Sequence, residues 1–168
     1  MEYFWQSCGI MNSTKNNLKP ATRQKVAALL NQTIANLSDL YSQTKYAHWN
    51  VRGPLFISLH KLFDELADSV EGHIDPLAER ITALGGTANG TVRQVAAASK
   101  LKEFPSSQPA DLSFVTALVE RFAQTGAAVR QGIDDSAAWG DADTADLLTG
   151  VSQDLDKALW FLEAHSRK

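Results

Sequence analysis

Residues 46–86 read YAHWNVRGPLFISLHKLFDELADSVEGHIDPLAERITALGG. Gly53-Pro54 is a break followed by a proline at a helix start, where its missing N–H costs nothing. Apolar residues then recur at Phe56, Leu59, Phe63, Leu66, Val70, Ile74, Leu77, Ile81 and Leu84, at steps of three and four. That is the period of one buried helix face. Gly85-Gly86 is a helix stop. The spacing predicts one long helix over about Leu55–Leu84.

The same stretch holds His48, His60, Asp64, Asp75 and Glu79. His60 and Asp64 are four apart and share a helix face, as do Asp75 and Glu79. The gap from Asp64 to Asp75 is eleven residues, close to three whole turns, so both pairs lie on nearly one side. Along the axis that gap is about 16 Å. Ligand atoms sit only about 2.0–2.6 Å from a metal. One helix therefore cannot wrap one ion with all four residues. An antiparallel copy can: a two-fold axis near Ser69 and Val70 sets His60 and Asp64 of one chain opposite Asp75 and Glu79 of the other. A two-fold contact is self-complementary, so it makes two such sites.

Imidazole and carboxylate ligands suit divalent first-row metals, Fe(II) and Zn(II) among them. Taken singly, each residue has a plainer reading. A lone histidine on an apolar face is usually a hydrogen-bonded core residue. Asp75 or Glu79 alone fits a solvated helix face. The ordered set at fixed spacings carries the metal reading. No Glu-x-x-His, the motif that points di-iron ligands into a bundle core, occurs in the chain. A metal site here has to lie elsewhere, which agrees with a site between subunits.

The rest of the chain is consistent with an all-α fold. At 168 residues, 44% hydrophobic and 21% charged, it is one globular domain. Residues 1–20 lack helical period and read as a mobile tail, leaving the domain at 21–168. The opening MEYFWQSCGIM lacks a basic region and a cleavage-like site, so it reads as tail rather than signal peptide. Pro20 opens a first helix running to about Asn50, with Val26, Leu30, Ile34, Leu37, Tyr41, Thr44 and His48 on its buried stripe. Thr91 caps a short helix in the connection that follows the second. Asp111 caps a third long helix, and Asp143 opens a fourth through Leu148, Val151, Leu155, Leu159 and Leu162. Four amphipathic helices with one long connection predict a ferritin-like four-helix bundle, with a short extra helix between helices two and three.

Composition excludes several classes. No run approaches the roughly 20 apolar residues of a membrane span. The single cysteine, Cys8, fits a reducing, cytoplasmic compartment. There is no phosphate-binding glycine loop and no Cys-x-x-Cys. The net charge of −3 is a poor match to nucleic acid. Asp134, Asp135, Asp141, Asp143 and Asp146 cluster at the third turn between helices. Capping and solubility explain them, and an acidic ring around a cation entrance is the sharper alternative. His73 and His165 have no matched partner.

AHWNVRGPLFISLHKLFDEL (47–66), HIDPLAERITALGGTANGT (73–91) and DADTADLLTGVSQDLDKALWFLEAH (141–165) resemble the Dps family, the mini-ferritins called DNA-binding proteins from starved cells. The likeness covers about residues 20–165. It implies that His48, His60 and Asp64 are ferroxidase ligands completed by Asp75 and Glu79 of the two-fold mate. It further implies a hollow homo-dodecamer that oxidises Fe(II), preferably with hydrogen peroxide, and stores ferric mineral. Acidic three-fold pores are implied too, with Asp141 and Asp146 as candidates. Zinc is a second ion the same ligands would accept. Support for DNA binding is thin. The family's lysine-rich tail is reduced here to Lys15 and Lys19, and twelve chains give 12 × −3 = −36. The rival reading is a DNA-compacting protein with a vestigial metal site.

Overall fold

In a computed structural model, which describes residues 11–105 and 112–165, the chain is an all-helical bundle with no strand among those residues. The helices are α1 (Pro20–Asn50), α2 (Phe56–Glu71), α3 (Ile74–Ala83), α4 (Val92–Ala98), α5 (Leu112–Ala138) and α6 (Ala142–Ala164). α1 pairs with α2 and α3, and α5 pairs with α6. α1 also packs on α5, joining the two hairpins, and α4 lies against α1.

The expected single helix from Leu55 to Leu84 is two helices. The ladder is interrupted at Gly72–His73, although both residues keep right-handed helical angles. Pro76 explains the interruption. It has no N–H to give to the Gly72 carbonyl, and its ring crowds that carbonyl. The result is a bent rod whose apolar face continues unbroken through the bend. Leu59, Phe63, Leu66, Val70, Leu77, Ile81 and Leu84 are all buried.

The other three core faces are Val26, Leu30, Ile34, Leu37 and Leu40 on α1, Val115, Leu118, Phe122 and Val129 on α5, and Leu148, Val151, Leu155 and Leu162 on α6. Each such side chain contributes about 1.5–3 kcal/mol by leaving water.

Turn chemistry sets the ends. Gly85 (φ 86°) and Gly140 (φ 83°) are left-handed helix terminators. Each is flanked by bonds that reach back over the last turn, Gly86 N–H to Ile81 O and Asp141 N–H to Ser136 O, both 2.9 Å. Asp141 then caps α6 by accepting from Thr144 N–H at 3.1 Å, so the cap is Asp141 and not the expected Asp143. Thr91 and Gln94 form the reciprocal capping box of α4. The proposed Asp111 cap lies outside the described residues.

The long connection is fastened to α1 by side-chain amides. Asn31 bonds Thr87 O and Asn89 N–H, Gln32 bonds Ala98 O, Asn36 accepts from Lys100 N–H, and Gln43 bonds Lys102 O. Buried Arg121 adds bonds to Gln43 and to Glu103 O. Of the expected tail, residues 1–10 lie outside the described residues. Residues 11–19 are non-helical, and Asn12 N–H is bonded to Gly85 O at 2.7 Å.

A methyl group at Gly86 would lie 2.9 Å from Ile81 Cγ2 and 3.1 Å from Ala27 Cβ, where α3 ends against α1. Gly86→Ala is expected to cost about 1–3 kcal/mol through overpacking, measured as a lower thermal midpoint.

Candidate metal centre

His48 sits in the last turn of α1, and His60 and Asp64 sit on α2. The turn between them is tight: Gly53 takes φ 98°, and Phe56 N–H bonds Gly53 O at 3.0 Å. This folds α2 back along α1 and brings the two imidazoles together, with ring centroids 3.8 Å apart and planes 19° from parallel. Phe56 stacks on His60 at 5.1 Å.

Each ring is held by the other residue's backbone. His48 Nδ1 lies 2.7 Å from His60 O, and His60 Nδ1 lies 2.9 Å from His48 O. A carbonyl oxygen only accepts, so both Nδ1 atoms carry the proton and donate. Each neutral ring then keeps its lone pair on Nε2, the nitrogen free to bind a metal. Backbone acceptors behind a ligand histidine fix both its tautomer and its orientation. The His48 carbonyl is also one of the acceptors that a helix end leaves without a helical partner. The expectation that His48 continues the buried stripe holds in part, because its side chain keeps 12% exposure.

His48 Nε2 is 3.7 Å from Asp64 Oδ1, so imidazole and carboxylate face one space. Asp64 is also bonded by Lys45 Nζ at 2.5 Å. The Lys45 hydrogen bond holds the Asp64 carboxyl below the usual carboxylate range, aided by the nearby histidines. The same bond raises Lys45. The signs agree. The carboxylate side of the pair is in place above the ordinary Asp range and is lost only as pH falls through the lowered value. The ammonium side is in place below the ordinary Lys range and is lost only above the raised value. Asp64 is thus ionised throughout the neutral range.

Asp75 and Glu79 lie on α3, exposed to solvent. Among the described residues neither carboxylate has a hydrogen-bond or ion-pair partner. Nor, among those residues, does any group of three or more His, Cys, Asp and Glu gather closely enough to hold a metal ion within one chain. The five residues fall into two sets: His48, His60 and Asp64 together, and Asp75 with Glu79 beyond the bend.

Asp141 and Asp146 part company. Asp141 is 2% exposed, and its oxygens are engaged by Arg80, Thr144 N–H and the Thr144 hydroxyl. Asp146 is exposed. Lys45 was missed by sequence reasoning. Its place three residues before His48, on the same face, was the available signal.

A family model of the ferritin-like domain matches residues 27–168. The chain is 43% identical over 154 residues to the DNA protection during starvation protein of Agrobacterium fabrum, covering 92% of this chain and 95% of that one. It is 35% identical over 147 residues to the protein of the same name from Brevibacillus brevis, covering 88% and 98%. Among solved structures, DpsC from Streptomyces coelicolor superposes with a TM-score of 0.91 at 27% identity, over 99% of this chain and 97% of that one. A Dps protein from Vibrio cholerae, described as a member of a broad superfamily of ferritin-like diiron-carboxylate proteins, matches at 0.84 and 29%, over 93% and 99%.

Lys45 occupies an Asp64 oxygen that a cation would need. Lys45→Gln is therefore expected to tighten Zn(II) binding a few-fold at neutral pH, measured by calorimetry.

Proposed function

The chain belongs to the ferritin-like family, in its Dps branch, and on that premise we propose that it is a ferroxidase and iron-storage protein working at sites between two-fold related copies. The observation that carries this reading is the pair of half-sites. One chain holds two imidazoles with Nε2 free beside the ionised Asp64, and separately presents Asp75 and Glu79 exposed and unpaired. An antiparallel mate, pairing α2 with α3, would bring His48, His60 and Asp64 up to the partner subunit's Asp75 and Glu79.

Iron is the substrate. Two Fe(II) reduce one hydrogen peroxide to water, with two protons taken up, and the Fe(III) passes to a mineral inside a dodecameric shell. The chain's own residues supply neutral nitrogen donors, carboxylates that offset cationic charge, and an ordered tautomer that needs no rearrangement on binding. Dioxygen is the slower alternative oxidant. Zinc fits the same donors and would occupy the site without redox chemistry. Removing peroxide and Fe(II) together limits hydroxyl-radical formation. The cytoplasm is the proposed compartment, in keeping with the single cysteine.

The relatives' shared name, DNA protection during starvation protein, favours a second reading in which the shell binds DNA. The chain's net charge of −3 favours protection by chemistry over protection by coating. Duplex retention in a gel that survives about 150 mM salt would reverse that preference.

The intersubunit arrangement has a discriminating test. His60→Ala/Asp64→Ala and Asp75→Asn/Glu79→Gln are each expected to slow peroxide-driven Fe(II) oxidation strongly. Co-assembled, each mixed pair regains one of its two sites, giving about a quarter of the wild-type rate for random pairing. If the mixture is as slow as either variant alone, the sites do not lie between subunits.

A further inference from the structure

Asp75 and Glu79 ride on α3, a helix of 10 residues. Continuity with α2 carries its phase but holds its direction only loosely, because the hydrogen-bond ladder is interrupted at Gly72–His73 although both residues keep helical angles. Leu77 and Ile81 bury its inner face, but apolar contact is non-directional and tolerates small rolls and slides. Small rolls matter here. Side-chain tips lie about 5–6 Å from a helix axis, so a roll of about 10° moves a carboxylate by about 1 Å. Metal–ligand distances must hold to within about 0.2 Å.

Two polar clamps, one on each side of the ligand pair, tie α3 to α6. Before Asp75, His73 Nε2 donates to Asp154 Oδ2 at 2.9 Å. After Glu79, Arg80 Nη2 donates to Asp141 Oδ1 at 2.6 Å and Arg80 Nε donates to Thr144 Oγ1 at 3.0 Å. Thr144 in turn donates its hydroxyl to Asp141 Oδ2 at 2.6 Å, closing a ring of three residues. Asp141 is 2% exposed and the Arg80 side chain 16%, so this clamp is shielded from water and screened little by salt. Arg80 directly follows Glu79 in the helix, so any roll that the clamp resists would swing Glu79 through the same angle.

We infer that α6, through Asp141 and Thr144 holding Arg80 and through Asp154 holding His73, positions the acidic half of the intersubunit metal site. Arg80, Asp141, Thr144, His73 and Asp154 are positioning residues; none is a ligand. The inference rests on the proposed function and deepens it: the α5–α6 turn, itself rich in acidic residues, is mechanically joined to the site on the partner.

The test is Zn(II) calorimetry on assembled protein, with assembly checked by sedimentation, alongside the dependence of oxidation rate on Fe(II). Arg80→Gln is expected to weaken Zn(II) binding by about 10–100-fold and to raise KM for Fe(II) more than it lowers kcat. Arg80→Lys, which restores the cation, is expected to recover part of the affinity. Asp154→Asn, at a side chain 51% exposed and therefore safe for folding, is expected to show a smaller loss in the same direction. It carries the test alone if Arg80→Gln does not assemble. Asp75→Asn/Glu79→Gln is the reference. If the reference loses binding while assembled Arg80→Gln, or Asp154→Asn in its stead, binds as wild type, the positioning role is overturned and the proposed function stands. If the reference itself binds as wild type, the proposed function falls.

Discussion

A ligand atom reaches a metal ion at about 2.0–2.6 Å, whereas eleven residues of helix would hold the two candidate ligand pairs about 16 Å apart. That mismatch governs the rest. It explains why residues with every chemical qualification for metal binding do not gather in the folded chain. It also explains the unequal state of the two halves. The candidate imidazole half is ordered within the protomer, its rings held by each other's backbone carbonyls and its carboxylate paired with Lys45. The acidic half is left bare, and its precision comes from beneath, through bonds to α6.

Helix existence, the four-rod bundle and the short capped α4 were legible because period, proline and glycine speak locally. Pro20 opens α1 and Thr91 opens α4 as expected. The bend was not legible from period. Gly72 and His73 keep helical angles, so the apolar stripe passes from Val70 to Ile74 and Leu77 without a phase error. Only Pro76 carried the warning. The cap of α6 was misplaced by two residues, since Asp141 and Asp143 are equally able side chains. What separates them is place: Asp141 directly follows the Gly140 turn and accepts from Thr144 N–H at 3.1 Å, and Arg80, sixty-one residues away, lies 2.6 Å from Asp141 but 3.7 Å from Asp143.

The candidate site reads from the sequence as a list and not as a geometry. Spacing pairs His60 with Asp64 and Asp75 with Glu79, and the resemblance adds His48, but the reciprocal histidine bonds need the turn at Gly53, which no periodicity encodes. The polar face of α1 shows the same limit. Gln32, Asn36, Asp39 and Gln43 repeat at steps of four, three and four, which reads as an ordinary solvated stripe. In the fold those side chains hold the long connection. Gln32, Asn36 and Gln43 bond its backbone, and Asp39 accepts from the Ser99 hydroxyl. Long-range hydrogen bonds of this kind leave no trace in residue type.

Charge accounts for how the two halves could coexist before iron arrives. In the proposed pairing, Asp64 would face two further carboxylates from the partner subunit, and three like charges in one recess repel unless a cation joins them. Lys45 supplies one positive charge, enough to neutralise Asp64 and too little for all three. The protomer alone avoids the conflict by leaving Asp75 and Glu79 in water. Assembly would remove that water and leave an excess of negative charge at the place where a divalent cation binds. On this reading Lys45 and the metal compete for one oxygen, and the site's affinity for iron is the difference between two cations' hold on Asp64. The assembled site would therefore keep an unbalanced negative charge for the ion it would oxidise.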